Sequence, residues 1–304
     1  MPFNAHGFGN VDYSSHHQQF AAPFLIEGNE ESNTHFLKEA QHNHIYGVNN
    51  ALDELIMDAT LLVSIELKPD AEMHLRYGVL RRLRMISTSF RRFQALIPPE
   101  RIVPLTLPQS DDVARYLNSI YIDILGLMDN YAWTLAHQLG SSDTLAANKM
   151  DIGLFKRVLA RDPATGPVIK EIGMFVDWEK EVKERRNPAA HRMPLYVPSA
   201  ALTPEDVSTY NRLGSEASAA LHDQKFERYQ ELHNAQQRVG TFMAKFLHDP
   251  AGPVHEIYPT LPTDIGCAVL IGRIVQTSLR ATENPPAKLV ERTIVAATGE
   301  NSIT

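Results

Sequence analysis

The chain has 304 residues, of which 43% are hydrophobic and 21% are charged, and its formal net charge at pH 7 is −7. This length and hydrophobic content suffice for a sizeable core in one large or two modest domains. The acidic balance argues against a protein that binds nucleic acid over its whole surface, although it allows a local basic patch. The single cysteine, Cys267, excludes an internal disulfide, and its apolar flanks predict a buried thiol.

The N-terminal residues show neither the basic cluster nor the apolar stretch of a secretory signal peptide. No apolar run approaches the roughly 20 residues that a membrane-spanning helix needs. We therefore expect a cytoplasmic protein without a membrane partner. Residues 1–33 are rich in Gly, Asn, His, Ser and Gln without a sustained period, which is typical of a mobile arm.

Histidines are frequent in the first part of the chain, but we interpret them as exposed polar side chains. They are not accompanied by cysteines or by carboxylates at a repeated spacing, as a metal site would require. The sequence therefore predicts no metal site and no cofactor. The histidines in question are His16, His17, His35, His42 and His44.

Apolar residues at helical spacing predict a series of helices along the chain. They begin near Asn33, at Asn49, at Asp70, at Ser110 and near Val168. Thr203-Pro-Glu-Asp206 combines an N-cap residue, a proline at the first helical position and acidic residues in the first turn. This start opens a long antiparallel helical hairpin that we expect to continue to Met243, and Thr263 to Leu279 form a last apolar helix.

The fold class that these patterns predict is all-α, a helical bundle with a long antiparallel helical hairpin. We find no β-alternation and no internal repeat. The predicted organisation is a mobile N-terminal arm (1–33), a helical bundle (34–200), the helical hairpin (201–250), and a C-terminal helix and tail that pack on the bundle (251–304).

The helix predicted after Asp70 is rich in arginine. Arg81, Arg84 and Arg92 share roughly one face of it, and aromatic residues are interleaved with them. Guanidinium groups are forked donors for phosphates and aromatic rings offer stacking surfaces, so this face is a candidate RNA-binding surface. The alternative is a solvated face whose arginines pair with acidic residues of neighbouring helices.

The helix predicted after Ser110 carries polar residues that are candidates for lining a cleft. Asp129 and Asn130 precede Trp133, and His137 follows Asn130 by seven residues, on the same helical face. A core histidine with a carboxylate partner is an equally good interpretation of His137.

The densest chemistry of the sequence lies in Glu184-Arg-Arg-Asn-Pro-Ala-Ala-His191-Arg192, at the end of an amphipathic run. Arg186 is followed directly by the polar Asn187 and, five residues on, by His191. This pattern resembles the signature of the HEPN superfamily, all-helical domains in which an arginine is followed four to six residues later by a histidine, with a polar residue after the arginine. The resemblance covers residues 34–200 and includes the preceding helix with its Asp-Asn-x-Ala-Trp centre.

The resemblance implies a metal-independent endoribonuclease in a defence, toxin or stress role. His191 would act as the base for the 2′-hydroxyl of RNA, Arg186 would hold the phosphate, and Asn187 would orient the histidine or a phosphate oxygen. Arg185 and Arg192, with Arg81 and Arg84, would contact RNA. Such enzymes place two motifs in one cleft, which implies a homodimer, and a cognate inhibitor protein is a further expected partner.

Pro188 departs from a simple helical motif. In an unbroken helix the five residues from Arg186 to His191 rotate the chain by about 140°, which separates the two side chains. Alternatively, Asn187 caps a new turn that begins at Pro188, which would kink the chain.

A second interpretation belongs to a different functional class. The chain can be a catalytically inert binding or scaffold protein that uses the same groove, or the helical hairpin, to hold a partner. Under this interpretation Arg186 pairs with Glu184 or a neighbouring helix, and His191 caps the end of its helix.

Overall fold

The computed structural model describes residues 30–65, 67–191 and 193–281, with side chains described from residue 38 onward except at residues 189–191. Almost all of the predicted arm, residues 1–33, lies outside this part of the chain, and so does the tail after Ala281. Within it helices predominate and the strands are two residues long, which confirms the all-α class.

The bundle and hairpin are built from helices of very different lengths. They are α1 (Glu30–Leu62), α2 (Pro69–Met73), α3 (Leu80–Leu96), α4 (Leu107–Leu139), α5 (Ser142–Ala146), α6 (Arg157–Arg161), α7 (Gly166–Ile172), α8 (Val176–His191), α9 (Pro204–His222), α10 (Phe226–Gln236) and α11 (Ile257–Ala281). A π-helical turn (His74–Val79) joins α2 to α3, and 3₁₀ turns lie at Lys149–Asp151 and Gly173–Phe175. Strands β1 (Lys245–Phe246) and β2 (His255–Glu256) pair antiparallel.

Helix α4 lies at the centre of the core. It packs against α3, α8 and α11, and α1 packs against α3 and α11. Its rings Tyr121 and Tyr131 are fully buried, and the hydroxyl of Tyr131 accepts a hydrogen bond from the side chain of Gln276 on α11. Cys267 is buried in α11, as its apolar flanks predict. None of the described helices is long and apolar enough to cross a membrane.

Several helix boundaries differ from the sequence prediction; the last helix, for example, begins at Ile257 rather than Thr263. Helix α4 begins at Leu107 rather than Ser110, because Thr106 and Gln109 form a capping box that the sequence analysis overlooked. The predicted helices near Asn33 and Asn49 are one helix, α1. The second arm of the hairpin ends at Gln236 rather than Met243, and the chain then turns into β1.

The helical hairpin of α9 and α10 has its own small apolar cluster. Ala217, Ala220 and Leu232 are buried there, with Leu213 and Tyr229 packed on them. At the start of α9, the Thr203 hydroxyl accepts from the Asp206 amide, and the Asp206 carboxylate accepts from the Thr203 amide. The hairpin therefore depends strongly on this capping box, because few buried side chains stabilise it.

We expect Thr203→Ala to destabilise the hairpin by about 1 kcal/mol, the usual contribution of an N-cap side chain. Amide hydrogen exchange in α9 and α10 should become roughly fivefold faster, while exchange in α4 is unchanged. Ser208→Ala is the control, because the Ser208 hydroxyl only donates to a carbonyl within the helix. Equal exchange rates in the two variants would contradict the assignment.

Candidate functional site

Helices α4 and α8 pack together and enclose, with the loop before α6, a cavity of about 210 Å³. Three of the residues singled out in the sequence line it: Asp129 from α4, and Arg186 and Asn187 from α8. The site is therefore assembled from elements that are far apart in sequence. The other lining residues are Leu125, Met128, Gly153, Leu154, Phe155, Lys156, Glu179 and Lys183.

Helix α8 continues through Pro188 to His191, so the predicted new turn at Asn187 does not form. Pro188 has no N–H to donate to the carbonyl of Glu184, so the helix lacks one hydrogen bond there but does not end. In this continuous helix, positions 187 and 191 are four apart and share a face, whereas position 186 is rotated away from 191 by about 140°. The side chain of His191 and all of Arg192 lie outside the described part of the structure.

Arg186 is half-buried and, among the described residues, its guanidinium forms no ion pair. Its Nη1 donates a long hydrogen bond of 3.4 Å to Oδ1 of Asn187, and its Nε is buried without a hydrogen-bond partner in the described chain. The predicted alternative, in which Arg186 pairs with Glu184, is not what the structure contains. A buried guanidinium N–H without a partner favours an added anion or other acceptor.

The cavity holds cations and carboxylates side by side. Desolvation raises the pKa of Asp129, while Lys156, Arg82, Arg186 and Lys183 act against that shift by favouring the charged carboxylate. Lys183 forms an ion pair with Glu179 on the same helix, and Lys156 donates to the carbonyl of Met150. Three cationic side chains line the cavity against two acidic ones, which leaves a small positive excess in an acidic protein.

Arg185, predicted to contact RNA, is instead buried in an ion pair. Its Nη1 donates to both oxygens of Asp264, at 3.0 and 2.9 Å, and its Nη2 donates to Glu181 at 2.9 Å. Asp264 also accepts from the Tyr121 hydroxyl at 2.8 Å and from the Trp178 indole at 3.1 Å. This carboxylate thus ties α11 to α8 and α4, and Arg185 is a structural residue.

Burial raises the pKa of Asp264 to about 6, and the opposing contributions of Arg185, Tyr121 and Trp178 keep it below neutrality. The pKa of Arg185 is raised because the favourable charges of Asp264 and Glu181 outweigh its desolvation. The carboxylate and the guanidinium thus favour each other's charged form.

The arginine-rich face of α3 is exposed, as the sequence predicts for an interaction surface. Arg81 lies over the ring of Tyr77 at 4.9 Å, and within the described chain neither Arg81 nor Arg84 forms an ion pair. By contrast, Arg76 pairs with Glu72, Arg82 with Asp123 and Arg91 with Asp53. Some arginines of this region therefore pair with acidic residues and Arg81 and Arg84 do not, while RNA binding by this face stays a prediction.

Asn130 and His137 share a face of α4, but they lie at a second location, against the π-helical turn. The rings of His74, Trp133 and His137 stack with centroids 5.3–5.8 Å apart. The Nδ1 atom of His137 lies 3.8 Å from the Asp70 carboxylate. Asn130 packs so closely on the π-helical turn that position 78 must be glycine, because a Cβ at position 78 would lie 2.1 Å from Oδ1 of Asn130. Burial and the nearby His137 lower the pKa of His74.

A further histidine lies beside the chain that leaves α8. Nδ1 of His248 is 3.0 Å from the carbonyl oxygen of Met193, two residues after His191, and Nε2 is buried without a partner in the described chain. If Nδ1 carries the proton and donates it to this carbonyl, Nε2 is the basic nitrogen. Sequence reasoning missed His248 because 55 residues separate it from Met193.

Sequence reasoning also missed Lys156, Lys183 and Glu179 as cavity residues. The i, i+4 relation of Lys183 to Asn187 was a usable signal, since both fall on one face of α8. No sequence signal identified Lys156, which reaches the site from an irregular loop. Among the described residues, no group of three or more His, Cys, Asp and Glu side chains could hold a metal ion.

Comparison of the chain with family models, with curated proteins and with solved structures returns no match. The assignment of a function therefore depends on the chemistry of the site.

We expect Asp264→Asn to lower the free energy of unfolding by about 3–5 kcal/mol, because it leaves the buried Arg185 guanidinium without its carboxylate. Tyr121→Phe, which removes one hydrogen bond to the same carboxylate, should cost about 1 kcal/mol. Chemical denaturation followed by tryptophan fluorescence measures both. A smaller effect for Asp264→Asn than for Tyr121→Phe would contradict the role given to the ion pair.

Proposed function

We propose that the protein is an HEPN-like, metal-independent endoribonuclease of the cytoplasm, with a defence, toxin or stress role. The observation that carries the proposal is the cavity in which Arg186 and Asn187 of the motif meet Asp129. The guanidinium of Arg186 is not committed to a carboxylate of the described chain, which leaves it able to bind a phosphate.

The reaction assigned to the motif is a transesterification of RNA. The phosphate that joins two nucleotides passes from the 5′-oxygen of the second nucleotide to the 2′-oxygen of the first. His191 removes the proton of the 2′-hydroxyl, the 2′-oxygen attacks phosphorus, and the bond to the 5′-oxygen breaks. Arg186 stabilises the charge that develops on the phosphate oxygens. The products are a 2′,3′-cyclic phosphate and a 5′-hydroxyl, and no metal ion is needed.

The leaving 5′-oxygen must receive a proton, and one histidine cannot readily act as base and acid in the same step. A homodimer with two motifs in one cleft supplies the second histidine from the other copy. His248 is a second candidate within the same chain, since its ring is held beside Met193. To act as the acid its imidazole would carry a proton on both nitrogens, so that Nδ1 donates to the Met193 carbonyl and Nε2 gives its proton to the 5′-oxygen. The two possibilities differ in whether activity requires two copies.

Two features support RNA as the substrate: the basic excess of the cavity, and the α3 arginines that form no ion pair with the described residues. Lys156 and Lys183 line the cavity with Arg186, and Arg81 and Arg84 offer two more guanidinium groups. These groups are suited to phosphates of the RNA backbone rather than to base edges, so we propose weak sequence preference. A cognate inhibitor protein would bind the same surface.

The direct test is incubation of the purified protein with single-stranded and structured RNA in EDTA. We expect cleavage that leaves 2′,3′-cyclic phosphate ends, and a loss of about 100-fold or more in Arg186→Ala and in His191→Ala. Lys180→Ala is the matched control, because Lys180 lies on the same helix in an exposed ion pair with Asp177.

His248→Gln separates the two sources of the second proton-transfer group. A large loss in this variant, at a protein concentration where the parent is monomeric and active, supports His248. Activity that appears in the parent and in the variant only at concentrations where they dimerise supports a second copy. A well-folded parent that cleaves none of the RNAs would refute the nuclease proposal and favour the binding or scaffold function.

A separate prediction concerns RNA affinity. Arg81→Ala/Arg84→Ala should weaken RNA binding and should lower the slope of log K against log salt by about 1.4, the value for two phosphate contacts on a single strand. Arg76→Ala/Arg91→Ala is the matched control, because both of these arginines are already paired with carboxylates. Equal salt slopes for the two double variants would contradict an RNA-binding role for this face.

A further inference from the structure

A large groove of the described chain lies away from the motif. It has a volume of about 980 Å³ and lies between α1, α11 and the 3₁₀ turn Gly173–Phe175. Apolar side chains from all three elements line it, and two of them, Met57 and Met174, remain 61% and 52% exposed. Methionines are adaptable in packing, and exposed ones in a groove are typical of a surface that receives another segment.

The charged residues that line the groove are predominantly acidic. Asp53, Glu54, Asp58 and Glu171 line it, together with two arginines. Arg273 forms an ion pair with Glu54, and Arg280 forms one with Asp58 at 2.7 Å, so both cations are already neutralised. Glu171 forms no ion pair within the described chain, which leaves an exposed carboxylate at the groove.

A buried polar atom in the groove lacks a partner. Gln276 is 2% exposed and its Nε2 donates to the hydroxyl of Tyr131 at 2.8 Å and to the carbonyl of Leu55 at 3.4 Å. Its Oε1 has no hydrogen-bond partner in the described chain. An acceptor left without a partner in this way is unfavourable, and a peptide N–H that reaches it from the groove would satisfy it. The occupant of the groove should therefore offer N–H donors, apolar side chains and positive charge.

The chain itself continues from the end of the groove with such a sequence. Arg280 in the last turn of α11 lines the groove, and residues 282–304 follow. Pro285 and Pro286 cannot extend the helix. After them Ala287–Val295 reads Ala-Lys-Leu-Val-Glu-Arg-Thr-Ile-Val, which combines two cations with four large apolar residues. Residues 1–29 contain no lysine or arginine, so they match the groove less well.

The distances allow this segment to return over the helix that precedes it. The groove follows α11 from Leu270 to Arg280, ten residues that rise about 15 Å. An extended segment covers that length with about five residues. The five residues 282–286 are available to reverse the chain direction before the segment begins.

We propose that the segment Ala287–Val295 binds in this groove of its own chain. Leu289 and Val290 pack on the methionines, a backbone N–H of the segment donates to Gln276 Oε1, and Lys288 or Arg292 faces Glu171. The short connection gives a high effective concentration, so modest contacts suffice for occupancy. The proposal is independent of the nuclease activity.

The test uses the full chain labelled with ¹³C at the methionine methyl groups. In Leu289→Asp/Val290→Asp, we expect the methyl signals of Met57 and Met174 to shift towards those of free methionine. Met150, which is exposed and remote from the groove, should not shift. Ser302→Asp/Ile303→Asp, which adds the same charges outside the segment, should change none of the three signals.

Unchanged Met57 and Met174 signals in the Leu289→Asp/Val290→Asp variant would overturn the proposal. A shift that depends on protein concentration would also overturn it, because the segment would then come from a second copy. A second measurement changes only the groove: Glu171→Lys, an exposed substitution, should speed amide exchange in residues 287–295 by up to about tenfold. Equal exchange in the parent and in Glu171→Lys would overturn the proposal as well.

Discussion

The ion pair between Arg185 and Asp264 is the interaction on which the arrangement of the bundle depends. It is buried, it joins α8 to α11, and the hydroxyl of Tyr121 extends it to α4. A charge removed from water is costly unless its partners are well placed, so this pair stabilises only one relative position of the three helices. The position of the candidate site follows from this ion pair.

The link from the ion pair to the site is the rotation of α8. Successive residues of a helix are 100° apart, so fixing Arg185 towards Asp264 turns Arg186 towards α4 and the loop that contains Lys156. There Arg186 lines the same cavity as Asp129, but its guanidinium forms no ion pair among the described residues. Two adjacent arginines thus have opposite roles: one holds the core together and the other is available to an anion.

The sequence predicted the helices well because their apolar residues recur at helical spacing, as in the stripe of α4 and the capped start of α9. It predicted Arg186, Asn187 and Asp129 as site residues, and the structure brings these three together in one cavity. It could not distinguish Arg185 from Arg186, because the partner of Arg185 lies 79 residues away. Lys156 and His248 were missed for the same reason: tertiary contacts, not local patterns, place them near the motif.

The measurement that tests this account most directly is hydrogen exchange of the full chain with and without a 2′-O-methyl RNA, which binds without being cleaved. The account predicts slower exchange on RNA binding in residues 153–156 and 179–187, the two segments that line the cavity with Asp129. Protection confined to the α9–α10 hairpin, or no protection at a saturating RNA concentration, would contradict it.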